Sequence, residues 1–142
     1  MNLVNETAAP AAADGPAMKR TVLVVDDEAA VRGVVGRILA RANFDVLEAE
    51  HAEAAFEIVR SGREVHAVVT DVIMPGLTGA ALRDRLREEG FGMPMVFMSG
   101  FMSENVAREA LGSERYFVRK PFDAAELVGQ VKGALSAEVR ER

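Results

Sequence analysis

The 142-residue chain contains no cysteine. Disulfides and thiolate metal sites are therefore excluded, and a reducing compartment is the natural setting. No apolar run approaches the roughly 18 residues that a membrane span requires. Met1 to Ala17 lacks the basic start and continuous apolar core of a signal peptide. A cytoplasmic location away from membranes is expected. Positive charge is in deficit, with 17 Lys and Arg against 22 Asp and Glu and a net charge of −5. That balance argues against nucleic acid as a direct partner, since such binding rests on Lys and Arg neutralising phosphates. There is no glycine-rich phosphate loop of the P-loop kind, and no internal repeat.

What is present is ordinary for a globular domain: 49% hydrophobic and 27% charged residues. Residues 1–19 are rich in Ala and Pro without apolar periodicity and read as a flexible tail. From residue 20 the chain alternates two patterns. Short apolar runs occur at Thr21–Val25, Phe44–Glu48, His66–Thr70, Met95–Ser99 and Arg115–Arg119, and several are rich in Val and Phe, as buried strands should be. Between them lie stretches with apolar residues three and four apart, such as Val31, Val34, Val35, Ile38 and Leu39, or Leu127, Val131, Leu135 and Val139. These are amphipathic helices. Asp123 three residues before Glu126 gives the last of them a capping-box start. Five β-α units follow. They imply an α/β domain over residues 20–137 with a parallel sheet, helices on both faces, and a short tail at 138–142.

Ligands of open α/β sheets bind beyond the carboxyl ends of the strands. Four of the five runs deliver a polar group there: Asp26 and Asp27, Asp71, Ser99, and Lys120. The second run delivers none and is expected at the periphery. Taken singly, each residue has a plainer explanation. Asp26 or Asp27 could cap the first helix, Ser99 could cap a helix near Ser103, and Lys120 could be a solvated charge. Together they are more specific. Three crowded carboxylates repel, so one would hold its proton more tightly unless a cation sat among them. An all-oxygen acidic cluster suits Mg²⁺, which keeps waters and takes few carboxylates. A carboxylate can also serve as a nucleophile toward phosphorus, with positioning and charge neutralisation lowering the barrier.

The segments VLVVDDE (Val22 to Glu28), VVTDVIMPGLTG (Val68 to Gly79), VFMSGF (Val96 to Phe101) and YFVRKPF (Tyr116 to Phe122) resemble the receiver domain of bacterial response regulators, in order and in spacing. The resemblance implies a (βα)5 flavodoxin-like doubly wound sheet of strand order 2-1-3-4-5. It casts Asp71 as the phosphoacceptor. Asp27 would be a direct Mg²⁺ ligand, Asp26 its neighbour acting through water, and Ile73 a backbone-carbonyl ligand. Ser99 would be the switch hydroxyl and Lys120 the family's lysine, followed by a cis peptide bond to Pro121. The implied partners are a histidine kinase or a histidine phosphotransfer protein, and a downstream protein contacted through residues of about 103–137. With only polar residues after the last helix, output is expected through protein contact or onward phosphate transfer. The chain would be a stand-alone regulator or a receiver from a hybrid kinase.

Two features stand at the edge of the family pattern. Phe117, three residues before Lys120, occupies a place often held by Tyr, so any step needing a Tyr hydroxyl is absent. Tyr116 points to the other face of its strand and is no substitute. Ile73 and Phe101 replace polar side chains that position hydrolytic water in some members, so self-dephosphorylation is expected to be slow. Two other classes remain. A haloacid-dehalogenase-type phosphatase would need an Asp-x-Asp motif after the first strand, where this chain has adjacent Asp26 and Asp27. A phosphorylation-independent pseudo-receiver would usually lack one of the acidic or lysine positions. The remaining features have bland readings. Met93, Met95, Met98 and Met102 fill core, His51 and His66 have no metal-type spacing, Gly76 and Gly79 serve turn geometry, and Arg83, Arg85 and Arg87 are a solvated helix surface.

Overall fold

The computed structural model describes residues 19–100 and 116–140, the side chains of 138–140 excepted. In chain order these residues form β1 (Thr21–Val25), α1 (Ala29–Arg41), β2 (Asp45–Ala49), α2 (Ala52–Arg60), β3 (Ala67–Asp71), α3 (Gly79–Glu88), β4 (Met95–Ser99), β5 (Phe117–Arg119) and α4 (Ala124–Arg140). The expected helix near Ser103, with Phe101, Met102 and Arg115, lies outside the described residues. All strand pairs are parallel, in the order β2-β1-β3-β4-β5. This is the doubly wound order anticipated from the sequence.

Alternation along each strand divides the core in two. Leu23, Val25, Val68 and Phe97 face α2 and α3 and pack with Phe56, Val59, Leu82 and Leu86. Val22, Val24, Val69, Val96, Met98 and Val118 face α1 and α4 and pack with Val35, Leu39, Leu127 and Val131. The central strands β3 and β4 are buried along their whole length. Parallel strands sandwiched between two helix layers are expected to read as continuous apolar runs, as these do. Met74, Met95 and Met98 are buried in these clusters, which bears out core filling for two of the four methionines first considered. Among the described residues no helix is long and apolar enough to cross a membrane.

Two strands begin one residue later than the sequence suggests. Phe44 closes the turn after α1, its N–H donating to Leu39 O at 3.1 Å, and the ladder starts with Asp45 N–H to Arg20 O at 2.9 Å. His66 is tied to Thr21 of β1 twice: its backbone N–H donates to Thr21 O at 2.8 Å and its Nδ1 accepts the Thr21 N–H at 2.9 Å. Asp71 is consequently the last residue of β3 itself, opposite Met98 of β4. β5 is short, and Gln130 Oε1 of α4 accepts the Phe117 N–H at 3.1 Å.

One helix start, that of α4, was readable in the sequence. Asp123 and Glu126 form the reciprocal capping pair, Asp123 Oδ1 accepting from Glu126 N at 2.8 Å and Glu126 Oε1 from Asp123 N at 3.0 Å. His51 caps α2 through Nδ1, which accepts the Ala54 N–H at 3.0 Å. Both histidines thus spend Nδ1 on backbone N–H groups, in keeping with structural roles. Glu28, and neither Asp26 nor Asp27, is the N-cap residue of α1, and it makes no side-chain cap.

Candidate functional site

Asp26, Asp27, Asp71, Ser99 and Lys120 all lie at the carboxyl edge of the sheet, on or just after β1, β3, β4 and β5. One carboxylate oxygen from each of Asp26, Asp27 and Asp71 lies within 4.8 Å of the other two. Lys120 closes the cluster, with Nζ 2.9 Å from Asp71 Oδ2 and 3.5 Å from Asp26 Oδ2. The shorter contact is a charge-assisted hydrogen bond, and the longer one is mainly Coulombic. The Lys120–Pro121 bond is cis, as the resemblance implied.

Asp71 is buried and held at three atoms. Its Oδ1 accepts the Ile73 N–H at 3.2 Å, its Oδ2 accepts from Lys120, and its carbonyl accepts the Thr70 hydroxyl at 3.0 Å. Ile73 thereby presents its backbone to the site while its side chain stays exposed. Asp26 is wholly buried. Burial pushes its carboxyl above the ordinary value, against the Glu28 N–H bond and the Lys120 charge, while the Asp71 charge adds to the upward push. For Lys120, burial alone would lower the ammonium's value. The hydrogen bond that Lys120 donates to Asp71, with the charges of Asp71 and Asp26, outweighs it and holds the group above 10.5. Asp27 is exposed and opens onto a cleft of about 550 Å³ lined also by Glu50, His51, Pro75 and Gly76.

Three carboxylates against one ammonium leave a formal excess of two negative charges. The donors are all oxygen, and one of the three carboxylates stands open to solvent. This set fits a hard divalent cation that retains waters, and it lacks the imidazole or thiolate ligands of a zinc site. Ser99 adds a second sign of a ligand: its Oγ is buried and has no hydrogen-bond partner among the described residues. A buried hydroxyl left unpaired is costly, and such atoms concentrate where a ligand completes the site.

Three contributors were not apparent in the sequence. Gly79 was read as a turn residue. Gly76 is one, with φ of +83°, but Gly79 is required by proximity: a Cβ there would stand 2.5 Å from the Asp71 carbonyl oxygen. Thr70 donates its hydroxyl to the same carbonyl. Arg32 of α1 donates through Nη1 to the Asp26 carbonyl at 2.7 Å and through Nε to Glu48 Oε1 at 3.2 Å. A glycine beside a motif is visible in a sequence, whereas a near approach between two elements is not. Arg85 departs from its solvated reading: it stacks 4.0 Å from the Phe56 ring centre and pairs with Glu53 at 2.8 Å.

The family model of the response regulator receiver domain matches residues 22–132. The chain is 36% identical over 120 residues to the sensor kinase CckA of Brucella abortus, covering 83% of this chain and 13% of the kinase. It is 33% identical over 116 residues to the two-component response regulator ORR3 of Oryza sativa, covering 78% of this chain and 88% of that protein. Four of the curated relatives are much longer, and the chain spans 13% to 52% of their lengths. Among solved structures, the receiver domain of NtrX from Brucella abortus superposes with a TM-score of 0.74 at 30% identity, over 81% of this chain and 98% of that one.

Proposed function

The chain belongs to the response regulator receiver domain family of two-component signalling, and from that premise we propose that Asp71 accepts a phosphoryl group from a phosphohistidine. The observation that carries this reading is Asp71 at the end of β3, hydrogen-bonded to Lys120 at 2.9 Å, with the unpartnered Ser99 hydroxyl at the end of the next strand.

A carboxylate oxygen of Asp71 attacks phosphorus. The O–P bond forms as the P–N bond breaks, and the electron pair returns to an imidazole whose other nitrogen carries a proton. Lys120, with three donors on one charge, can hold Asp71 and a phosphoryl oxygen together. The Ser99 hydroxyl donates to a second phosphoryl oxygen and so acquires the partner it lacks. Mg²⁺, held by Asp26, Asp27, Asp71 and the Ile73 carbonyl, would supply positive charge to the transferred oxygens. The chemistry is confined to the chain's own aspartate, as self-phosphorylation and slow self-dephosphorylation. Movement of Ser99 toward the phosphoryl group would be read by Phe117, which packs on the α2–α3 side of the sheet, whereas Tyr116 packs on the α1–α4 side.

The donor is a histidine kinase or a histidine phosphotransfer protein. The likeness to a sensor kinase and to a response regulator supports a place in such a relay. Output runs through protein contact on the face of residues 103–137, or by passing phosphate onward. Incubation with acetyl phosphate and Mg²⁺ should add one phosphoryl group by intact mass in wild type and none in Asp71→Asn. Absence of the adduct in wild type, or equal labelling of both proteins, would overturn the proposal.

A further inference from the structure

The second strand was expected to contribute nothing to the site. It reaches the site through Arg32. Glu48 of β2 lies over α1 where Gly36 leaves room, its Oε2 being 3.2 Å from the position a Cβ would take. Glu48 Oε1 accepts Arg32 Nε at 3.2 Å, and Arg32 Nη1 donates to the Asp26 carbonyl at 2.7 Å. The guanidinium is largely buried, with 17% side-chain exposure. It makes no hydrogen bond to any of the three carboxylates. Its two contacts differ in kind: one to a side chain on the edge strand, one to the backbone of the acidic loop.

We infer that Arg32 and Glu48 are positioning residues for the metal-binding loop, fastening the Asp26–Asp27 peptide to β2. This inference rests on the proposed reading that Asp26 and Asp27 hold Mg²⁺. Asp26 is held at four polar atoms. Its N–H donates to Ala49 O at 3.2 Å, its Oδ1 accepts from Glu28 N at 2.9 Å, its Oδ2 approaches Lys120, and its carbonyl accepts from Arg32. The peptide group is planar, so fixing the Asp26 carbonyl also fixes the direction in which the chain enters Asp27. Asp27 is the exposed carboxylate of the cluster, and the direction of its backbone is set largely from this side. Arginine suits the task because its planar fork serves two acceptors in a fixed geometry, whereas a lysine ammonium is a compact point charge on a flexible stem.

The sign of one measurement separates positioning from simple charge. Arg32 is a cation near three carboxylates. If only its charge mattered, removing it would tighten Mg²⁺ binding. If it positions the loop, removing it weakens binding, by about tenfold as for other groups that orient metal ligands. Mg²⁺ dissociation constants of the full-length, unphosphorylated protein can be read from the backbone amide resonances of residues 26–28, with the thermal midpoint in EDTA confirming the fold. Arg32→Ala should weaken binding and Arg32→Lys should fall between it and wild type. Glu48→Ala should weaken binding more than Glu48→Gln, because both lose the charge and only Gln keeps an acceptor for Arg32. Unchanged or tighter binding in Arg32→Ala would overturn the inference, as would identical values for the two Glu48 variants, which sit on a half-exposed edge and should fold. Asp26→Asn is the control for the underlying reading. If it binds Mg²⁺ like wild type, the metal site itself is misassigned. If it loses binding while the Arg32 and Glu48 variants do not, only the positioning role falls.

Discussion

Asp26 combines complete burial with a carboxylate held above its ordinary pKa, chiefly by desolvation. A carboxyl whose folded value is raised binds its proton more tightly in the native state than in the unfolded chain. Its stabilising contribution is therefore complete below the unfolded value of about 3.8 and is lost as pH rises through the folded value. At neutral pH the ionised group weakens the fold. Asp26→Asn should accordingly raise the thermal midpoint at pH 7 in EDTA, and the gain should vanish on acidification below about pH 4. Calorimetry across that range checks both. A variant less stable than wild type at pH 7 would show that the Lys120 contact outweighs desolvation. Lys120 is raised too and follows the same rule, but its ordinary value lies far above neutrality: its contribution is fully present at pH 7, holds below 10.5 and is lost only in strong alkali. Residues placed for function at a cost in stability are common in proteins near their stability threshold.

At the scale of elements, the site depends on how closely α3 approaches the end of β3. Gly79 N–H donates to Val72 O at 2.9 Å, and the missing side chain lets the first turn of α3 lie against the Asp71 carbonyl. In an ordinary helix Gly→Ala is stabilising. Here the added methyl meets backbone at 2.5 Å, so Gly79→Ala should instead destabilise by about 1–3 kcal/mol, the usual range for overpacking, and should shift the Asp71 and Ile73 amide resonances. Denaturant unfolding measures the first effect and NMR the second. The capping pair at the start of α4 is separable from the site chemistry. Asp123→Ala should cost about 1 kcal/mol in unfolding free energy and leave phosphorylation by acetyl phosphate unchanged. A variant that kept its stability but lost phosphorylation would tie that cap to the site instead.

Across the whole molecule, the proposed Mg²⁺ and phosphoryl ligands would relieve both the charge excess at the carboxyl edge and the Ser99 hydroxyl that has no partner among the described residues. Ligands that bind only the native state stabilise it by mass action, by roughly 2.7 kcal/mol at a concentration one hundred times the dissociation constant. Beryllofluoride with Mg²⁺, as a phosphoryl mimic, should therefore raise the melting temperature of wild type by several degrees. Asp71→Asn should show no such rise, and Ser99→Ala a smaller one. Equal shifts in wild type and Asp71→Asn would place the ligand elsewhere.

Much of this organisation was legible in the chain itself. Short continuous apolar runs and apolar residues three and four apart identify the alternation of strands and helices, because burial on two faces or on one stripe dictates them. Polar residues ending four apolar runs identify the candidate site, since parallel strands bring their carboxyl ends to one edge. Asp26, Asp27, Asp71 and Lys120 meet in space as those rules require. Three things depended on tertiary structure. His66 spends its imidazole on the Thr21 N–H of β1, Gly79 is explained only by the Asp71 carbonyl above it, and Arg32 spans from β2 to the Asp26 backbone. Each joins elements that are distant in sequence or contacts a backbone atom. Local periodicity encodes which face of an element is buried, but it carries no record of which backbone atom a side chain will reach once separate elements have packed.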